Sequence, residues 1–159
     1  MNKAYLLIGG NEGDRFFHMQ LARTNIEHIC GVIEQVSSVY QTAAWGKTDQ
    51  ADFLNQALLI NTTLGPEELL RANLLIEEKM GRIRTGKNAP RIIDIDILFF
   101  NREIISTPDL LIPHPRIPDR RFVLVPLNEI AADFIHPVSG KSIRELLREC
   151  KDMLTVKKI

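Results

Sequence analysis

Cysteine is scarce in this 159-residue chain: Cys30 and Cys150 lie far apart and form no CxxC pair. A reduced, cytosolic protein is therefore expected. Net charge is absent as well, since 20 Lys and Arg balance 20 Asp and Glu. No global positive field exists to gather nucleic acid or an anionic membrane. No apolar run approaches the length of a membrane span. The opening MNKAYLLIGGNEGD reaches glycine and acid too soon for a signal peptide. Histidines with metal-ligand spacing are missing, because His18 and His28 stand ten apart and His136 is alone. No Ser-His-Asp or Cys-His arrangement can be picked out. There is no internal repeat, low-complexity tract or linker, so one domain over residues 1–159 is expected.

What is there is an alternation of element types. Lys3 to Ile8 reads as a strand ended by Gly9-Gly10. From Asp14 to Cys30, Phe17, Leu21, Ile26, Ile29 and Cys30 suit an amphipathic helix stopped by Gly31. Val32 to Thr42 is a β-branched strand, and Phe53 to Thr63 is its partner across a loop. Gly65-Pro66-Glu67-Glu68 opens a second helix, and Gly81 closes it. A strand ending at Phe100 comes next. This order, βαββαβ, predicts an α+β fold, a ferredoxin-like sandwich. A hairpin through Asn101, the Pro-rich connector IPHPRIPDRR and a helix from about Ser142 complete it.

The last strand of that series, RIIDIDILFF (Arg91 to Phe100), carries two carboxylates two positions apart. Residues two apart on a strand share a face, so Asp94 and Asp96 project together, about 6.5–7 Å apart. Burying such a pair is costly, through both desolvation and mutual repulsion. Ahead of them runs KMGRIRTGKNAPR (Lys79 to Arg91), with five basic residues and no acid. Guanidinium forks match phosphate oxygens, while carboxylates reach phosphates only through a cation. An Arg cluster beside an Asp-x-Asp strand therefore describes a magnesium-polyphosphate site. The alternatives are a solvated basic loop and an edge strand with two exposed acids; the apolar neighbours from Ile93 to Phe100 argue against the latter. GRIRTGKN (Gly81 to Asn88) only imitates a P-loop: Asn88 replaces the hydroxyl, and the segment follows a helix instead of a strand. His114, between Pro113 and Pro115 with Arg116, Arg120 and Arg121 behind it, is either a second phosphate-facing wall or an exposed basic loop.

Together these segments resemble the 6-hydroxymethyl-7,8-dihydropterin pyrophosphokinase family. The resemblance runs through IGGNEGDR, SSVYQT, DQADFLN, GRIR, APRIIDIDIL and IPHPRIPDRRFVLVPLNEIA, nearly the whole chain. It implies pyrophosphate transfer from ATP to the pterin hydroxymethyl oxygen, giving AMP. It implies Asp94 and Asp96 as ligands of two Mg²⁺ ions, and Arg82 and Arg91 with them as the catalytic set. Glu77, Arg82, Arg84, Lys87, Arg91, Ile97, His114 and Arg120 form the implied ATP-binding set. For the pterin, Phe53 and Phe122 are the implied stacking rings, and the Asn55 side chain with backbone groups around Thr42 and Trp45 reads the edge. Phe53 and Asn55, two apart on a strand, share a face as such a site needs.

The chain departs from many relatives at Ala43, where proline is common, and at Asn88 and Ala89, where an aromatic and a glycine are. Phe53 stands where tyrosine is frequent. The small size and complete fold suggest a monomer, and the resemblance implies ATP and the pterin as its partners, with no nucleic acid or membrane expected from the charge and the apolar runs. Rival readings are a non-catalytic ferredoxin-like module binding nucleotide or RNA, a regulatory small-molecule domain, and an ordinary kinase releasing ADP. Aromatics at 6% and zero net charge weigh against RNA.

Overall fold

A computed structural model describes residues 1–43, 50–82 and 90–159. The elements are β1 (Asn2–Gly10), α1 (Arg15–Ile29), β2 (Gly31–Val36), β3 (Tyr40–Thr42), β4 (Phe53–Thr62), α2 (Pro66–Lys79) and β5 (Asp94–Phe100). After these come β6 (Ile105–Ser106), β7 (Leu111–Ile112), α3 (Arg121–Ala131), α4 (Ile143–Glu149) and β8 (Val156–Lys158). Among them, six strands form one sheet in the order β5-β1-β4-β3-β8, with β2 also paired to β4, and every pairing is antiparallel. The fold is thus mixed α/β with an antiparallel sheet and four helices.

β1 is central, paired to β4 on one side and β5 on the other. Its run YLLIGG is apolar on both faces because both faces are covered. Ala4, Leu6 and Ile8 pack with Met19, Ala22 and Ile26 of α1 and Leu69 and Ile76 of α2. Leu7 turns the other way, to Val123, Leu124 and Leu127 of α3 and Ile143 and Leu146 of α4. The sheet is therefore the middle layer of three.

Three differences from the sequence expectations have physical causes. The expected strand from Val32 to Thr42 is divided: Ser37 leaves the ladder, its Oγ accepting from Ala57 N at 2.9 Å. The buried stripe of α1 is Met19, Ala22 and Ile26, whereas Phe17 is 54% exposed. At 3.6 residues per turn Phe17 lies about 200° from Met19, on the outer side. Finally, RFVLVPLNEIA, which the sequence patterns assign to no element, is helix α3 in spite of Pro126. Val123, Leu124, Leu127 and Ala131 recur at helical spacing and bury against the sheet, which outweighs the missing donor. α4 begins where the helix from Ser142 was expected, Ser142 capping Glu145 N.

A bulge in β5 sets which residues of that strand face each layer. Leu6 pairs with Ile97 and Tyr5 with Phe99, so Leu98 is the extra residue. Ile95 and Ile97 face α1 and α2, but Leu98 and Phe99 both face α3, and Phe100 returns to the first side. The carbonyl of Leu98 accepts from His114 N at 3.0 Å, which docks the Pro-rich connector beside the strand.

Candidate active site

Asp94 and Asp96 do share a face, opposite Gly9 and Leu7 of β1 respectively. They lie in a cleft of about 820 Å³ on the α3 side of the sheet, whose described lining also includes Arg82, Arg91, Arg120, Phe53, Asn55 and Phe122. Residues far apart in the chain meet here because β1 carries Gly9 between Asn55 of β4 and Asp94 of β5. A Cβ on Gly9 would sit 2.2 Å from Asn55 Oδ1 and 2.6 Å from Leu54 O. The glycine is thus required for the Asn55 side chain to lie where it does.

The two acids have unlike surroundings. Asp94 Oδ1 accepts from Arg82 Nη1 at 2.6 Å, and its Oδ2 accepts from Arg91 Nη1 at 3.2 Å. Arg82 is brought there by the end of α2, where Gly81 takes φ +91° and Arg82 N donates to Glu77 O at 3.0 Å. The Arg82 guanidinium also reaches Glu77 Oε1 at 3.0 Å. Burial works against that charge, but Asp94 and Glu77 more than compensate and hold it above its ordinary range. Glu77 itself is buried, its Oε2 accepting from Ile95 N at 2.8 Å, so it grips the strand between the acids.

Asp96 forms no ion pair among the described residues. Burial, and then the charges of Asp94 and Glu77, push its carboxyl well above the usual carboxylate range, while Arg120 and Arg82 pull the other way. His114 is held below its ordinary value by burial and by Arg120, with Asp94 opposing. Its Nδ1 accepts from Arg116 N at 3.2 Å, which leaves the proton of the neutral ring on Nε2. Arg91 lies over the Phe53 ring at 5.4 Å, and Arg120 over the Phe122 ring at 5.6 Å. Each aromatic wall of the cleft is therefore topped by a guanidinium.

Of the other residues singled out in the sequence, Thr42 lines the cleft, and its buried Oγ1 has no hydrogen-bond partner among the described residues. The side chain of Ile97 points into the core under α1 and α2, away from the acids. Glu77 and His114 flank the cleft without being among its lining residues. Trp45, Arg84, Lys87, Asn88 and Ala89 lie outside the described residues. Arg116, weighed in the sequence with the His114 turn, lines the cleft; sequence reasoning missed Asp119, and also Asp152 and Leu154. The last two belong to a segment whose return across the sheet only tertiary contacts define. It also undervalued Asn11, buried in the opening turn. Asn11 Oδ1 accepts from Arg91 N at 3.0 Å, and its Nδ2 donates to Gln50 Oε1 and Ala51 O. A G-N turn after a strand was the available signal.

Among the described residues, no group of three or more His, Cys, Asp or Glu could hold a metal ion by itself. No helix among them is long and apolar enough to cross a membrane.

An acid pair facing arginines and flanked by aromatic walls defines an enzyme of phosphoryl-group transfer, a kinase in the broad sense. Residues 5–132 match the model of the 7,8-dihydro-6-hydroxymethylpterin-pyrophosphokinase family, and the chain belongs to that family. It is 46% identical over 130 residues to the 2-amino-4-hydroxy-6-hydroxymethyldihydropteridine pyrophosphokinase of Bacillus subtilis (strain 168), covering 81% of this chain and 78% of that one. The enzyme of the same name from Aquifex aeolicus is 40% identical over 149 residues, 94% of this chain and 92% of its own. Among solved structures, wild-type Plasmodium falciparum HPPK-DHPS with SDX-DHP superposes with a TM-score of 0.75 at 21% identity. That match covers 94% of this chain and 43% of the solved one, so the chain spans under half of that protein. The chain is a pyrophosphokinase of folate biosynthesis.

Proposed function

We propose that the cleft binds ATP and 6-hydroxymethyl-7,8-dihydropterin side by side and transfers the β,γ-diphosphate as one unit. The pterin hydroxymethyl oxygen attacks the β-phosphorus, the bond to the α-phosphate oxygen breaks, and AMP leaves. The observation that carries this reading is the carboxylate pair at the meeting point of an arginine side and an aromatic side. Asp94 is paired with arginines and Asp96 is repelled by Asp94 and Glu77, an arrangement suited to accepting a cation with a substrate. Two carboxylates are few for a closed protein metal site but fit Mg²⁺, which is commonly held by one or two carboxylates plus substrate phosphates. Asp94 and Asp96 would hold two such ions; when bound, they supply charge neutralisation at the attacking and leaving oxygens.

The chain's own residues do the rest. Arg82 and Arg91 move between Asp94 and the phosphates, supplying positive charge where charge develops. Arg120 and His114, with its Nε2–H, serve the far side of the triphosphate. Arg84 and Lys87 are assigned to the same task from the sequence alone. Glu77 anchors Arg82 and the β5 backbone, so it is a positioning residue. Phe53 and Phe122 stack on the flat pterin, and Asn55 and the Thr42 hydroxyl hydrogen-bond its edge. Trp45 is assigned to the pterin side from the sequence alone, and Ile97 to the nucleotide side through its main chain only. No strong base is needed, because phosphoryl transfer depends chiefly on positioning and electrostatics.

The sheet order, with β2 and β3 taken as one interrupted strand, supports a ferredoxin-like βαββαβ topology extended by β6, β7, α3, α4 and β8. Packing of α3, α4 and β8 onto the same sheet supports a single domain over residues 1–159. The two free thiols are compatible with a cytoplasmic protein, and we take it to act as a monomer. Product analysis tests the reaction: the chain is incubated with ATP, Mg²⁺ and the pterin, beside Asp94→Asn. AMP formed only with the pterin, and lost in the variant or with chelator, is expected. ADP would make the enzyme an ordinary kinase, and absence of turnover would overturn the reading.

A further inference from the structure

Helix α3 carries Arg120 and Phe122 at its start, yet no side chain of its own caps it, since Arg120 at the cap position makes no such bond. The first turn of a helix leaves N–H groups without intrahelical partners. The partner here comes from 31 residues further on: Asp152 Oδ2 accepts from Arg121 N at 3.0 Å. Its Oδ1 accepts from Leu154 N at 3.0 Å, which fixes the carboxylate in its turn. Asp152 and Leu154 both line the cleft, while Met153 between them is 90% exposed. That alternation is the period of an extended chain. The segment then enters β8 and pairs with β3, Val156 opposite Thr42, and Ile159 N donates to Val39 O at 3.1 Å. One short segment therefore holds two cleft walls at once: the start of α3 with Phe122, and the strand with Thr42. All of it lies beyond the residues 5–132 that match the family model.

We propose that residues 150–159 are a working wall of the cleft, in which Asp152 and Leu154 set the distance between Phe122 and β3 and so the affinity for the pterin. Asp152 acts as a positioning residue, through the α3 cap, and Leu154 fills the apolar side between the two walls. The inference rests on the assignment of Phe122 and Thr42 to the pterin.

The test measures binding of unreactive 6-hydroxymethylpterin by its fluorescence, and of α,β-methylene-ATP separately, to the wild-type chain and four variants. Asp152→Ala and Leu154→Ala are expected to weaken pterin binding by about tenfold, the scale of a lost helix cap. Nucleotide binding should fall less, by about threefold at most, because Arg82 and Arg91 are anchored elsewhere and only Arg120 shares the start of α3. Asp152→Asn, which keeps an acceptor oxygen, should recover most of the pterin affinity, and Met153→Ala should change nothing. Thermal melts run beside each measurement. Pterin affinity unchanged in folded Asp152→Ala, or both ligands weakened equally, would overturn the proposal and leave the segment a structural strap. If Asp152→Ala does not fold, Leu154→Ala decides on the same ratio of effects. A wild-type chain that binds no pterin would overturn the pterin site and this inference together, whereas binding that ignores all variants overturns this inference alone.

Discussion

The two faces of β5 are made by alternate residues of one short strand, yet one is sealed and the other is open. On the sealed face, Ile95 and Ile97 lie under α1 and α2 within a continuous apolar cluster. On the open face, Asp94 and Asp96 look into a cleft next to a glycine. The difference comes from what covers each side. α1 and α2 supply Met19, Ile26, Leu69 and Ile76 along the length of the sheet. α3 and α4 bury Leu7, Ala57, Leu98 and Phe99, and the surface beyond Leu7 toward Gly9 and Asn55 is left to the cleft. The bulge at Leu98 marks the change, sending two consecutive apolar residues to the α3 side just after the acids. Along this strand the only polar side chains, Asp94 and Asp96, stand on the open face.

Replacing the acids should separate function from stability most sharply. Asp94→Asn and Asp96→Asn are each expected to lower AMP formation by about 10²–10³-fold, the scale of removing one transition-state electrostatic partner. In chelator, Asp96→Asn should melt higher than the wild type, because it relieves a buried charge repelled by Asp94 and Glu77. A lower melting temperature would mean that the open face is a structural ion-pair network. On the sealed face, Ile97→Ala should behave oppositely. Denaturant titration should show a loss of about 2–5 kcal/mol, with turnover per folded molecule little changed. A selective rise in KM for ATP would instead give the Ile97 side chain a role the packing does not suggest.

Gly9→Ala sharpens the boundary between the two. Its new methyl group would collide with Asn55 Oδ1 and the Leu54 carbonyl, so overpacking should cost about 1–3 kcal/mol. Pterin binding should fall while nucleotide analogue binding is retained. Asp14→Ala removes the α1 cap, where Oδ1 accepts from Phe17 N at 3.1 Å. The melt should record about 1 kcal/mol lost from the sealed side, without a kinetic effect.

The smallest effect expected is a pH slope from His136, on the α3 side away from the cleft. His136 is buried, with its ring centroid 5.5 Å from that of Phe99 in an edge-to-face contact and its Nδ1 accepting from Val138 N and Ser139 N. Burial lowers its folded-state pKa below the ordinary value. The unfolded chain therefore takes up a proton first as pH falls, and stability declines below about pH 6.5. His136→Gln should flatten that decline in melts followed from pH 7.5 to 5.

Much of the site was legible because it is written in short-range patterns. Asp94 and Asp96 declare a shared face by spacing alone, and Phe53 and Asn55 do the same on β4. Gly81 and Arg82 are one turn of helix end, so the arginine's return toward Glu77 follows local rules. What escaped the sequence is long-range. α3 was unread because Pro126 interrupts an apolar run whose helical form depends on burial against the sheet. Asp152 and Leu154 were unread because nothing local tells an extended segment which strand edge or helix start it will meet. Asn11 looked like a turn residue, and its hydrogen bonds to Arg91 and Gln50 cross 80 and 39 positions.

The sequence by itself determined the kind of chemistry: acids at strand spacing, arginines without intervening acid, and aromatics and an amide on one strand face. Those are consequences of backbone periodicity, which each segment carries alone. Only the tertiary structure decided which acid is paired and which is left repelled, how wide the cleft is, and what forms its walls. These depend on where separate segments meet, and on the burial that gives a lone carboxyl its energetic weight.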